Sequence, residues 1–189
     1  MDVSEAKELA RKTLADDLPR RWAHVQGVAS RAELFAPSHR QADLIIAAAY
    51  LHDIGYAAAA LDTGFHQIDG GRFLRERGCD EAVVNLVANH SGAPTLARLS
   101  GLSGILETEF PKVELLPHRE LHFCDLTTSL DGIHVSIDER LLDIRRRHQS
   151  NPAMLQFLAT NEADLRLMVE RFQQQLGLTK GASAPTTPA

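Results

Sequence analysis

The sequence predicts an all-α protein. Two observations carry this. Apolar residues recur at three- and four-residue spacing through nearly every segment of the chain. No set of alternating apolar and polar runs, of the kind that marks strands, stands beside them. Nor is there an internal repeat.

The elements follow in order. Residues 3–16 carry Val3, Ala6, Leu9, Ala10, Thr13 and Leu14 on one stripe. Pro19 suits the first turn of a second helix, about 20–36, which ends before Pro37-Ser38 and lines up His24, Val28, Ala32 and Phe35. A third, about 40–53, places Ile45, Ala48, Ala49 and His52 on one face and is stopped by Gly55. Residues 66–77 form a short helix ended by Gly78, and residues 80–90 another, with Val83, Leu86, Val87 and His90 on its stripe. Glycines and prolines break 91–118 into short helices and loops. A buried helix at about 119–129 includes LHFCDLTTS. Asp131-Gly132 signals a turn, HVSID reads as a short extended piece, and helices at 138–148 and 152–176 close the domain. Residues 177–189, rich in small residues and proline, read as a disordered tail after a single domain over 1–176.

Bulk properties narrow the function classes. A length of 189 residues fits one domain, and 44% hydrophobic residues supply its core. A net charge of −5 gives no footprint for a nucleic acid polymer or an anionic membrane. No apolar run reaches the length of a membrane span, and the N-terminus lacks a signal-peptide core. Cys79 and Cys124 lie outside any CxxC pattern, which argues for reduced thiols and a cytoplasmic location. Oligomeric state has no signature in the sequence, and a homodimer is compatible with it.

The chemistry centres on LHDIGY, Leu51 to Tyr56. His52 and Asp53 offer a nitrogen and an anionic oxygen ligand at one point, a pairing suited to a divalent metal. The plain alternative is an ion pair at the helix end with Arg72 or Arg75. His24 and Asp125 decide against it. Both sit on or beside apolar stripes, and a lone aspartate among the apolar neighbours of Asp125 needs a strong partner. His66 opens one helix and His90 ends another, each facing a loop. His24, His52, Asp53, His66, His90 and Asp125 together suffice for two ions with Asp53 between them, a centre able to activate water and hold a phosphoryl group. Nitrogen and carboxylate ligands accept Fe, Mn, Co, Ni or Zn, so the expected cofactor is one or two divalent transition-metal ions. His39, His118, His122, His134 and His148 are assigned to the surface or to helix packing.

In this order, a histidine, a His-Asp pair and a distant aspartate resemble the HD-domain superfamily, over about residues 20–150. HQIDGGRFLRERG and ANHSG resemble two further family elements and place the chain near the six-ligand members, such as the bacterial diadenosine tetraphosphate hydrolases. The resemblance implies a helical bundle with the metal site in a central cleft. It matches His24, His52, Asp53 and Asp125 to the core ligands, and His66 and His90 to second-metal ligands or phosphate contacts. Two departures stand out. Asn89-His90 replaces the adjacent histidines of the cyclic-dinucleotide phosphodiesterases, whose Gly-Tyr-Pro signature is also absent. Leu126 follows the last aspartate, where the diadenosine tetraphosphate hydrolases look more like lysine.

The implied activity is metal-dependent hydrolysis of a small phosphorylated substrate such as a nucleotide, with Asp53, His66 and His90 catalytic. Six-ligand HD proteins also include di-iron oxygenases cleaving C–P or C–C bonds, and a non-catalytic nucleotide-binding protein is a third alternative. Arg20 (or Arg21) and Arg145 are candidate phosphate contacts, since a guanidinium can bind phosphate in two places. Thr128 either contacts substrate or caps back onto its own helix.

Overall fold

The structure is a computed structural model and describes residues 1–178. Ten α-helices and two single-turn 3-10 helices account for the regular structure among the described residues. Helix α1 spans Val3–Leu14 and opens with a reciprocal cap between Asp2 and Glu5. Helix α2, Pro19–Ala32, starts on its proline and runs into a 3-10 turn over Glu33–Phe35. Helix α3, Ala42–Leu51, is apolar almost all round, which suits a helix enclosed by others. It packs against α1 and α2, against α5 (Glu81–Ala88) and against α8 (His118–Leu126).

Helix α4, His66–Glu76, lies on α5 and on a 3-10 turn over Ile54–Tyr56. Two short helices follow, α6 (Ala93–Leu99) and α7 (Ser103–Glu109). Helix α9, Ile137–Arg147, is capped by Ser136 and Glu139. Helix α10, Pro152–Gln175, crosses α6 and α8 and closes one side of the bundle.

Three boundaries differ from the sequence reading. Helix α3 ends at Leu51, so His52 and Asp53 lie just beyond it and not within it. Gly55 does not stop it. A methyl there would meet the backbone oxygen of His66 at 1.9 Å, so the glycine instead lets the start of α4 come against the turn. Helix α8 ends at Leu126, which leaves Thr127 and Thr128 in the loop beyond it. The extended piece amounts to one isolated antiparallel bridge, Thr128 with His134. The expected tail lies outside the described residues from 179 onward.

Candidate metal centre

Four helix ends and the body of one helix converge on one place. His24 comes from the middle of α2, His52 and Asp53 from the end of α3, His66 from the start of α4, His90 from just after α5, and Asp125 from the end of α8. His24, His52, Asp53 and His90 are almost wholly buried. All six expected residues are therefore brought together.

Backbone carbonyls fix the histidines. The Nδ1 of His52 lies 2.8 Å from the oxygen of Ala49, that of His90 2.6 Å from Val87, and that of His24 2.9 Å from Ser129. A carbonyl only accepts, so each Nδ1 must carry the proton. In the neutral ring the lone pair is then on Nε2, and all three Nε2 atoms face the same space. This is how ligating histidines are ordinarily held from behind.

The consequences inside the cluster are specific. His52 Nε2 is buried with no hydrogen-bond partner among the described residues. His24 Nε2 lies 3.1 Å from an oxygen of Asp125, an approach that calls for a proton or a cation between two lone pairs. His24, His52 and Asp125 each bring one ligand atom within 4.8 Å of the others, and so do His52, Asp53 and His90. Asp53 joins the two groups. Its Oδ1 is 3.6 Å from His52, 3.6 Å from His66 and 4.0 Å from His90, while its Oδ2 is 3.7 Å from His24. His66 and His90 approach at 3.2 Å through their Nε2 atoms. With the His90 lone pair exposed there, His66 Nε2–H donates to it when no cation intervenes.

Electrostatics agree with ligand roles. Burial, together with the neighbouring imidazoles, pushes His66 well below the ordinary histidine range and His90 down to about 4. Burial also lowers His52. These rings are neutral near pH 7, the state a metal requires. Burial alone would raise Asp53 and Asp125. Arg21 beside Asp53 and Arg140 beside Asp125, helped by the imidazoles, hold both well below the carboxylate range. An orphaned buried nitrogen and neutral imidazoles aimed at two ionised carboxylates fit one or two divalent ions.

Sequence reasoning offered Arg21 only as an alternative phosphate contact, and it missed Arg140 and Ser91 behind the carboxylates. Arg21 donates to Asp53 at 2.6 Å and covers the Tyr56 ring, which stacks on His66 at 4.1 Å. Arg140 donates to Asp125 at 2.7 Å, and the Ser91 hydroxyl donates to the other oxygen of Asp125. Ser91 is the one non-glycine residue with positive φ among the described residues, at 47°. Helix α9 supplied a signal for Arg140, because Arg140, Ile144 and Arg147 lie on one stripe and all line the cavity over the cluster.

The cavity also bears on the remaining assignments. His122 and His148, assigned to surface or packing, both line it, and burial pushes His122 down to about 4. Arg20, Arg145 and Thr128 do not line it. Arg20, next to the inward Arg21, pairs with Asp131, and Arg145, next to the inward Ile144, pairs with Glu162. The Thr128 hydroxyl donates to the oxygen of Cys124, so it caps its own helix. Arg72 and Arg75, the alternative partners for Asp53, pair with Glu109 and Glu81 instead.

An all-helical bundle with a buried His/His-Asp/Asp cluster defines a class of metal-binding helical domains. Comparison with known families agrees: the profile of the HD domain family matches residues 21–133, and the chain belongs to that family. The match begins at Arg21 and includes all six clustered residues. No curated protein and no solved structure gives a significant match to the chain.

Proposed function

We propose that this chain is a metal-dependent phosphohydrolase acting on a small phosphorylated metabolite, with nucleotides among the candidates. One observation carries the proposal: three histidines fixed through Nδ1 turn their Nε2 lone pairs on two ionised carboxylates. His24, His52, Asp53 and Asp125 would hold a first ion, and His66 and His90, with Asp53 shared, a second. When bound, such an ion supplies an acidified water and positive charge for phosphoryl oxygens.

Charge supports an anionic substrate. Arg21 and Arg140 already balance Asp53 and Asp125. Any divalent ion therefore leaves the site with surplus positive charge. The cavity over the cluster, about 70 Å³, has room for about two waters at about 30 Å³ each, which a phosphoryl group would displace. Arg21 and Arg147, which line it, replace Arg20 and Arg145 as the proposed phosphate contacts. In the hydrolysis the water oxygen bonds to phosphorus and the bond to the leaving oxygen breaks. One water proton ends on that oxygen. His66, neutral and beside the cluster, is placed to hold a proton at Nε2 when it is not itself a ligand. Free Cys79 and Cys124 support a cytoplasmic setting, and among the described residues no helix is long and apolar enough to cross a membrane.

The test is metal analysis of untagged protein beside phosphate release from a panel of phosphate esters, with and without oxygen. Asp125→Ala should lose metal and activity together. Turnover that requires O₂ would replace the hydrolase with the oxygenase, and metal-free, inactive protein would leave a binding role.

A further inference from the structure

A second pocket of about 390 Å³ opens beside the cluster cavity. Tyr56, His66, Gln67, Leu96, His148 and Met154 line both, so the two spaces lie side by side. Their characters differ. The cluster cavity carries arginines and carboxylates, whereas the side pocket is lined by no Asp, Glu, Lys or Arg. Its further walls are Phe65, Leu102 and Ala153, with Ser100 and Asn151 at the rim.

Gln67 sits at the seam. It is 2% exposed, and its side-chain oxygen has no hydrogen-bond partner among the described residues. An unpartnered buried acceptor is costly unless something donates to it. It lines both spaces, so a group passing from one to the other would run beside it.

The arginines over the cluster are also committed. Arg21 pairs with Asp53, Arg140 with Asp125 and Arg147 with Asp143. With Arg140 held by Asp125, and Arg21 and Arg147 able to turn to the one phosphoryl group, no guanidinium lining the cavity is left for a second or third phosphate.

Resting on the phosphohydrolase reading, we propose that the side pocket is the specificity subsite for the leaving group, and that the substrate is a phosphomonoester of an uncharged, partly apolar alcohol. A single phosphoryl group occupies the ion cluster. The neutral remainder passes Gln67 and packs against Phe65, Leu96, Leu102 and Met154. Polyphosphates and esters with a second anionic group are disfavoured, because nothing in the pocket repays their desolvation.

The experiment measures binding by calorimetry on the protein with its metal as isolated, so turnover is not needed. The probes are methylphosphonate, benzylphosphonate and 2-carboxyethylphosphonate. Burial of the phenyl ring should make benzylphosphonate bind at least tenfold tighter than methylphosphonate. The carboxyethyl compound should bind no tighter than methylphosphonate. Ala153→Trp, which fills the pocket from the half-buried first turn of α10, should bring the benzyl and methyl affinities within about twofold. Equal benzyl and methyl affinities in the unaltered protein overturn the subsite and leave the hydrolase reading standing. Should the variant fail to fold, that comparison decides alone. Failure of methylphosphonate and inorganic phosphate to bind at all overturns the hydrolase reading together with the subsite.

Discussion

Gly27→Ala is a substitution whose sign separates tertiary packing from helix propensity. Gly27 lies inside α2, where alanine is favoured over glycine by about 1 kcal/mol. On propensity alone the change stabilises. The structure says otherwise. A methyl on Gly27 would stand 2.3 Å from the carbonyl oxygen of Gly132, and 2.6 Å and 2.7 Å from its Cα and carbonyl carbon. Gly132 cannot yield inward, since its own backbone has φ of 78° and lies against Ala23. Restoring ordinary contact near 3.4 Å moves the 129–134 loop outward by about 1.1 Å. That loop holds His24 through the Ser129 carbonyl at 2.9 Å, and His134 reaches the Gly27 oxygen at 3.2 Å. Both bonds would stretch to about 4 Å, beyond hydrogen-bond range.

Overpacking of this kind costs about 1–3 kcal/mol, and each lost hydrogen bond adds about 1 kcal/mol. After the helix gain is subtracted, the net loss is about 2–4 kcal/mol. For a chain of this size that corresponds to a melting point lower by about 4–16 °C. Releasing His24 from its carbonyl should also weaken metal binding by about 10–100-fold. Thermal melting monitored by circular dichroism, with metal content measured on the same samples, reads both effects. Gly104→Ala is the control, because a methyl there meets nothing within 4 Å, and it should melt no lower than the parent. If Gly27→Ala melts at or above the parent and keeps its full metal, the loop contact does not position His24.

Three further outcomes are expected. Ser91→Ala removes a donor from Asp125 and should reduce kcat/KM by about 10–100-fold at an almost unchanged melting point; unaltered kinetics would deny Ser91 a positioning role. Arg140→Met strands the Asp125 carboxylate in a buried place and should cost about 3–5 kcal/mol in denaturant titration, whereas a loss under 1 kcal/mol would mean that water or another cation replaces it. In metal-depleted protein, stability should fall as pH drops from about 6.5 toward 4. His52, His66, His90 and His122 stay neutral in the fold below their ordinary value of 6.5, so over this range the unfolded chain binds more protons. Even one such group gives a slope near 1.4 kcal/mol per pH unit, and a flat profile in urea midpoints would refute it. Asp53 and Asp125 do not enter this window, because their depressed values lose stability only below about 4.

Most helices were legible from periodicity, which also placed His24, His52 and His90 on apolar stripes, while Asp53, His66 and Asp125 were read from the His-Asp pair, a helix start and apolar neighbours. The second layer was harder. Arg20 and Arg21 are adjacent, yet adjacent residues point about 100° apart on a helix. Arg21, three residues before His24, shares the inward face, and Arg20 reaches Asp131 at the surface. Arg145 fails for the same reason beside the stripe of Arg140, Ile144 and Arg147. His122 lies three residues before Asp125 and shares its side of α8, a relation available in the sequence but outweighed by the usual surface role of histidine. Ser91 gave no signal, since its left-handed backbone and its bond to Asp125 depend on the approach of α8 to the corner after α5.

The carbonyl anchors behind His52 and His90 have an evolutionary consequence. Each lies three residues earlier in the chain, at Ala49 and Val87, where the last turns of α3 and α5 leave carbonyls unused by their own helices. An aspartate or glutamate in that supporting position can be lost by one codon change. A main-chain oxygen cannot. Drift at residues 49 and 87 is thus constrained by packing volume alone, and the orientation of these two imidazoles is inherited with the helix ends themselves.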